Sequence, residues 1–314
     1  MARESRRSAL LALAALLAVA TAAHAVRAQT RGRLVHQQNT LYHRVYVYQA
    51  GSVFALEFGR QRAASVQSRV DVANLRRHML EYSVLTFSGL LYQPEPERIL
   101  VLGLGGGTIP RELHHHFPDA AIDVAEIDPD VPPIAQRYFA FRPDERLRVH
   151  VADGRLFIRN RARATPVERY DLIILDAFNS DYIPFHLMTR EFLEEVKGVL
   201  AEDGAVVANV FWNNRLFDAE LKTFEAVFRR CQVFVGQQSG NAMIVSPGPK
   251  APTFTPEQAH ARAAELQARH RFDFDLRWVA GRLNPDVRPD GRARVLTDDR
   301  APVNWLREQE TSRR

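Results

Sequence analysis

The chain has 314 residues, 46% of them hydrophobic and 25% charged, with a formal net charge of +5. That mix excludes global disorder and fits one large domain or a core with a smaller appendage. The positive balance comes almost wholly from dispersed arginines, with no basic stripe interleaved with aromatics, so nucleic acid is not an expected partner.

Arg3, Arg6 and Arg7 precede an apolar run from Ala9 to Ala20, and small-residue sites follow at Ala23–Ala25 and Val26–Ala28. A charged start, a short apolar middle and a small-x-small end predict a cleaved export signal over 1–28, and with it a periplasmic or secreted protein. An uncleaved anchor and an unexported tail are the alternatives; the run is short for a membrane span.

Residues 34–93 read as an N-terminal module. β signals at Tyr42, Val45–Tyr48, Val53, Leu56 and Phe58, punctuated by Gly51 and Gly59, predict antiparallel hairpins. Apolar residues at Leu75, Met79, Leu80, Leu85 and Leu90 then predict a helix over Asp71–Leu91, ended by Pro94 and Pro96.

From Arg98 strands and helices alternate, which predicts an α/β domain over 94–280 with a Rossmann-like parallel sheet and helices on both faces. Strands are expected at Ile99–Leu102, Ala121–Ile127, Leu147–Ala152, Tyr170–Leu175 and Ala205–Phe211. Helices are expected at Ile109–Phe117, from Asp153-Gly154, after a Thr189 cap, and at Phe217–Phe228. Pro132 and Pro133 predict that the helix after Asp128 becomes regular only near Ile134. Val233–Val235 and Ala242–Val245 form a hairpin, and Thr255–Gln258 fits a capping box with proline at the first helical position. Cys231, the lone cysteine, excludes an intrachain disulfide. Residues 281–314 read as a loop-rich tail.

Chemistry is expected at the carboxyl ends of the strands, where open α/β sheets bind ligands. The turn Gly103-x-Gly105-x-Gly107 enters a helix at Thr108, a geometry that brings backbone close to a nucleotide or nucleoside. Glu126, about twenty residues on, is placed to accept two hydrogen bonds from ribose hydroxyls. Asp153, beside Gly154, is placed to accept from an exocyclic amine such as that of adenine. Asp176 closes a central strand, where a shifted pKa suits a general base. Local readings stand beside these: Thr108 and Asp128 as helix caps, Asp153 as a turn residue. The turn lacks a following Lys-Ser/Thr, so the expected ligand is a nucleoside of the S-adenosyl type. His114–His116 are consecutive on a helix and do not face one another, so no metal is expected.

GLGGGTIPREL, VAEIDPD, VADGR and RYDLIILDAFNSDYIP resemble, in order and spacing, the spermidine synthase (polyamine aminopropyltransferase) family, over roughly Leu41 to Val245. The LTDDRAPVNWL ending resembles a divergent bacterial branch of synthase-like proteins. The resemblance implies aminopropyl transfer from decarboxylated S-adenosylmethionine to a diamine, releasing methylthioadenosine, with no tightly bound cofactor and a homodimer as an expected assembly. It assigns Gly103, Gly105, Gly107, Thr108, Glu126 and Asp153-Gly154 to the nucleoside, Asp176 to the base, and Asp181 with Asp176 to the amine. Where the family's glycine motif continues with aspartate, GGGDG, this chain has Thr108. Its catalytic loop pairs aspartates three apart, whereas Asp176 and Asp181 are five apart. Asp298 and Asp299 would add acidity if the tail folds back. The Thr108 difference supports a second expectation, an S-adenosylmethionine-dependent methyltransferase or other alkyl transferase, since helix-start N–H groups can bind the carboxylate of the intact donor. A non-catalytic nucleoside-binding relative is a third reading, which export would suit.

Overall fold

The computed structural model describes residues 32–59, 65–177 and 184–308. The expected export signal and Asp181 lie outside the described residues. Among the described residues, no helix is long and apolar enough to cross a membrane.

The N-terminal module is a four-stranded antiparallel sheet in sequential order, β1 (Arg33–Asn39), β2 (Arg44–Ala50), β3 (Val53–Phe58) and β4 (Ser65–Asp71). The helix expected from Asp71 starts late: α1 covers Glu81–Leu85 and continues as a 3-10 turn over Thr86–Leu91. Asp71 instead closes β4 and accepts the N–H of Ala73, while Val72 and Leu75 stay exposed. Apolar spacing had counted Leu75 into a face that the chain does not bury.

The second sheet has eight strands in the order β12-β10-β11-β9-β8-β5-β6-β7. Its centre is β5 (Arg98–Leu102), parallel to β6 (Ala121–Glu126) and to β8 (Tyr170–Leu175). β7 (Leu147–Val151) extends one side and β9 (Leu200–Phe211) the other. β10 (Gln232–Val235) and β11 (Asn241–Pro247) pair as the expected hairpin, and β11 runs antiparallel to β9. The segment beyond 281, read as a tail, contributes β12 (Leu283–Asn284) to this edge.

Alternation along β5 divides the core. Ile99 and Val101 face one layer, with α2 (Thr108–His116), α3 (Val131–Tyr138), α7 (Pro256–His270) and α8 (Leu276–Ala280). Leu100 and Leu102 face the other, with α4 (Gly154–Ala162), α5 (Arg190–Gly198) and α6 (Arg215–Phe228). Strands buried on both faces read as continuous apolar runs, which is why β5 and β8 were visible in the sequence. Val47, Leu56 and Val70 of the N-terminal sheet join the first layer, so the two sheets share one core.

Pro132 and Pro133 sit in the first turn of α3, which is regular from Val131, earlier than expected. Neither proline loses a hydrogen bond there, because first-turn N–H groups have no helical partner. The caps fall as read at Thr189, which accepts from the Phe192 N–H, and at Thr255, which forms the full capping box. A last helix, α9 (Val303–Arg307), packs Val303 near Leu216 and Ala219 of α6.

Candidate active site

At the carboxyl ends of β5, β6, β8 and β9 lies a cavity of about 310 Å³. Volumes of this order suit small molecules. Gly103, Gly105, Thr108, Glu126, Asp153, Gly154 and Asp176 all line it. Topology explains the gathering: residues far apart in sequence end neighbouring parallel strands on the same side of the sheet.

The glycine turn is shaped by close approach. Gly103 and Gly105 have φ of +94° and +53°. A Cβ on Gly103 would lie 2.4 Å from the backbone oxygen of Asp176, so only glycine lets the turn and the end of β8 meet. Gly107, assigned to the ligand in the sequence, does not line the cavity. It caps α2 from the left-handed region, against the ring of Phe141. Thr108 is the first residue of α2 rather than its cap, and its side lies on the cavity wall.

Glu126 is buried. Its carboxylate accepts from the Leu104 N–H at 2.9 Å and from the Asp128 N–H at 2.9 Å, tying the glycine turn to the end of β6. Burial pushes its carboxyl up, against those backbone donors. Asp128 is not the cap of α3, a position that Asp130 takes; it is buried before the helix and accepts from the Asp130 N–H and from the Thr40 hydroxyl.

Asp153 does two things at once. It caps α4 by accepting from the Leu156 N–H at 2.9 Å, and its other oxygen meets His186 Nε2 at 3.0 Å. That hydrogen bond holds its carboxyl below the usual range, with the Leu156 N–H adding to it against burial. The acid is thus ionised and acceptor-only at neutral pH.

Asp176 faces the cavity and accepts a hydrogen bond from Asn209 Nδ2 at 2.8 Å. The Asn209 carbonyl accepts in turn from Asn241 Nδ2 at 2.9 Å. Burial pushes the Asp176 carboxyl up to about 7, and the Asn209 amide only partly offsets it. A base with that pKa changes protonation where enzymes operate.

Sequence reading missed several wall residues. Gln67 and Ser68 come from β4, Tyr82 from α1 and Phe211 from β9. The Tyr82 hydroxyl donates to the Gln67 carbonyl, and burial and the charge of Asp176 push its ionisation far up, so it stays a neutral phenol. Glu81, beside it, fixes the far rim by accepting from the N–H groups of Gln237, Gln238 and Ser239.

The tail does fold back, yet its acids do not join the cavity wall. Asp298 binds both Nη atoms of Arg155 at 2.8 Å and accepts from the Thr189 hydroxyl. Arg155 is buried, pairs also with Glu195, and donates to the His186 carbonyl at 3.2 Å. The acidic tail therefore clamps the segment that carries His186 over Asp153.

His115 and His116 stand with Asp273, their donor atoms within 4.8 Å of one another, a grouping that helix spacing alone disfavours. Asp273, from beyond α7, supplies what the helix does not. The cluster's members already have partners: His116 Nε2 lies 3.1 Å from Glu112, and Arg76 lies 3.5 Å from Asp273.

Residues 79–237 match the family model for the spermine/spermidine synthase domain. A polyamine aminopropyltransferase of Vibrio vulnificus (strain CMCP6) is 38% identical over 278 residues, covering 87% of this chain and 91% of that protein. The eEF1A lysine and N-terminal methyltransferase of Mus musculus is 36% identical over 151 residues, which is 44% of this chain but only 22% of that protein. Among solved structures, a probable spermidine synthase from Corynebacterium glutamicum ATCC 13032 superposes with a TM-score of 0.65 at 20% identity, over 85% of this chain and 98% of the other.

Proposed function

The chain belongs to the spermine/spermidine synthase family of transferases, and we propose that it moves an aminopropyl group from decarboxylated S-adenosylmethionine to a small amine, with a diamine as the leading acceptor. The observation that carries the reading is Asp176: a carboxyl shifted to about 7, at the wall of a nucleoside-sized cavity, on the opposite side of the glycine turn from Glu126.

Glu126 offers its carboxylate to the ribose hydroxyls, and Asp153 its free acceptor capacity to the adenine amine. His186 then covers the base-binding end, held there by Arg155. The acceptor amine enters between Asp176 and Tyr82 as an ammonium. Asp176 takes one proton, which leaves a nitrogen lone pair for the carbon next to the sulfonium. The new N–C bond forms as the C–S bond breaks, and its electron pair goes to sulfur. Neutral methylthioadenosine leaves beside a secondary ammonium product, and the proton on Asp176 returns to solvent.

A second reading has its own observation. The stretch 103–110 carries no acidic residue, and Thr108, at the start of α2, lines the cavity. A helix start favours an anion over an ammonium. That environment suits the carboxylate of intact S-adenosylmethionine, and methyl transfer with it. Calorimetric titration with the two donors side by side separates the readings. Aminopropyl transfer requires the decarboxylated donor to bind at least about tenfold more tightly, a difference of about 1.4 kcal/mol. Tighter binding of the intact donor overturns it in favour of alkyl transfer.

A further inference from the structure

The far end of α2, away from the cavity, carries the run His114–His116. His114 is taken by Asp144, 2.9 Å from its Nε2. The next two behave differently. Consecutive helix residues normally diverge, but these lie in the last turn, where their rings meet edge to face with centroids 4.8 Å apart. His116 is fixed: its side chain is 8% exposed, and its ring packs edge-on against Phe272 and Phe274, which stack on each other. His115 is half-exposed and opens the cluster to solvent. Phe272 and Phe274 flank Asp273, so the packing that orients His116 also delivers the acid from between α7 and α8.

One oxygen of Asp273 faces both imidazoles, 3.5 Å from His115 Nε2 and 3.9 Å from His116 Nε2. An imidazolium hydrogen-bonded to a carboxylate closes to about 2.7–2.9 Å, and neither pair has done so. The three donor atoms lie within 4.8 Å of one another, around a common point rather than bonded to each other. Tetrahedral zinc, with nitrogen and carboxylate oxygen at about 2.0–2.2 Å, holds its ligand atoms roughly 3.4 Å apart. The spacings here are somewhat wider, and rotation of the half-exposed His115 and of the Asp273 carboxyl closes them. The Asp273 N–H donates to His116 Nε2 at 3.4 Å, so the lone pair of that nitrogen is turned toward Asp273. On the buried side Glu112 lies 3.1 Å from the same nitrogen and 3.5 Å from His78 Nε2.

The donor set selects the ion. Two imidazoles and a carboxylate suit zinc and its divalent transition-metal neighbours, whereas calcium and magnesium take oxygen-rich sites. The carbonyl end of a helix also favours a cation. The competing cation is Arg76, whose Nε lies 3.5 Å from Asp273; its side chain is 70% exposed and can swing into solvent. We propose that His115, His116 and Asp273 bind a zinc-class divalent ion, with a fourth position for a water that donates to Glu112. Bound there, the ion ties the end of α2 to the segment between α7 and α8. The nine residues of α2 span about 13 Å, which separates the ion from Thr108 and the cavity, so it braces the fold and takes no part in the group transfer.

Calorimetric titration of the intact chain with Zn(II), repeated with Mg(II), tests this. One Zn(II) binds per chain and raises the melting temperature, because an ion held only by the folded state stabilises it; Mg(II) does neither. His115→Ala removes an exposed ligand without opening the core. It weakens Zn(II) binding by more than about tenfold, the cost of losing even an outer partner, and cancels the thermal shift. Asp273→Asn acts in the same direction, and Arg76→Ala, which removes the competing cation, tightens binding. His114→Ala, one residue away but paired with Asp144, leaves it unchanged. Co(II) in place of zinc gives the visible absorption of a four-coordinate ion in the wild type and not in His115→Ala. Absence of saturable Zn(II) binding in the wild type, or binding that His115→Ala leaves intact, overturns the proposal. Loss of binding in His186→Ala but not in His115→Ala moves the ion to the candidate active site and overturns it as well. Should Asp273→Asn not fold, the comparison of His115→Ala with His114→Ala decides alone.

Discussion

Asp176→Asn lowers kcat by roughly a thousandfold, in the middle of the range for a positioned base, while donor affinity stays within about threefold of wild type. Asparagine has the shape of aspartate and can turn its carbonyl toward Asn209 Nδ2, so the hydrogen bond and the cavity wall survive. What disappears is the site that accepts the ammonium proton. Donor binding is spared because the nucleoside meets Glu126 and Asp153, on other strands. In the wild type, kcat rises with pH as Asp176 ionises and levels off above its pKa of about 7. The variant's residual activity lacks that step. Stability moves the other way. The folded state raises the Asp176 pKa from 3.8 to about 7, so it favours the neutral acid, and the associated stability is complete below the unfolded value and is lost as pH rises through 7. Asp176→Asn is therefore more heat-stable than the wild type above pH 7. An inactive variant with a higher melting temperature excludes unfolding as the reason for its inactivity. Retained turnover, or a profile of unchanged shape, removes Asp176 from the role of base.

The parts of this site that the sequence makes legible share one cause. β5 and β8 are apolar on both faces, so a glycine turn or an acid at their ends stands out against the run before it. Parallel topology then guarantees that Gly103, Glu126, Asp153 and Asp176 end on one side. Groups delivered from elsewhere carry no such mark. Tyr82 and Gln67 reach the cavity because the N-terminal sheet packs into the same core, which no local pattern announces. His186 is held by Arg155, and Arg155 by Asp298, 143 residues further on. Asn209 did leave a signal: an amide inside VVANVF is 2% exposed, and a buried amide needs partners. Strand periodicity scores such a residue as an interruption. The late start of α1 has the opposite cause, since Leu75 and Met79 kept helical spacing although β4 and its turn had already claimed the chain as far as Asn74.

The largest effect on binding is expected at Glu126. Its two oxygens already serve the backbone, one taking the Leu104 N–H and the other the Asp128 N–H. A carboxylate has acceptor capacity to spare for ribose hydroxyls on both oxygens. Glutamine does not. It replaces one acceptor by an NH₂ group that faces a backbone N–H, so one donor at the turn is left without a partner and one ribose contact is lost. Hydrogen bonds to a charged group are worth about 1.5–3 kcal/mol each, so the one lost contact puts the loss of donor affinity for Glu126→Gln at roughly ten- to a hundredfold. The unpartnered N–H adds a fall in melting temperature of several degrees, since about 1–3 kcal/mol is lost when a buried donor goes unsatisfied. The same carboxylate thus builds the turn and binds the ligand, and calorimetry must separate the two. Glu126→Asp is the control, because it keeps the charge and shortens the reach by one methylene. If the turn alone matters, donor affinity in the two variants tracks their melting temperatures. If Glu126 binds ribose directly, titration with adenine, which has no ribose, gives the same affinity in the wild type and Glu126→Gln, while the nucleoside distinguishes them by that factor. Equal losses for adenine and nucleoside would leave Glu126 as a brace for the glycine turn and move the ribose contact to another wall of the cavity.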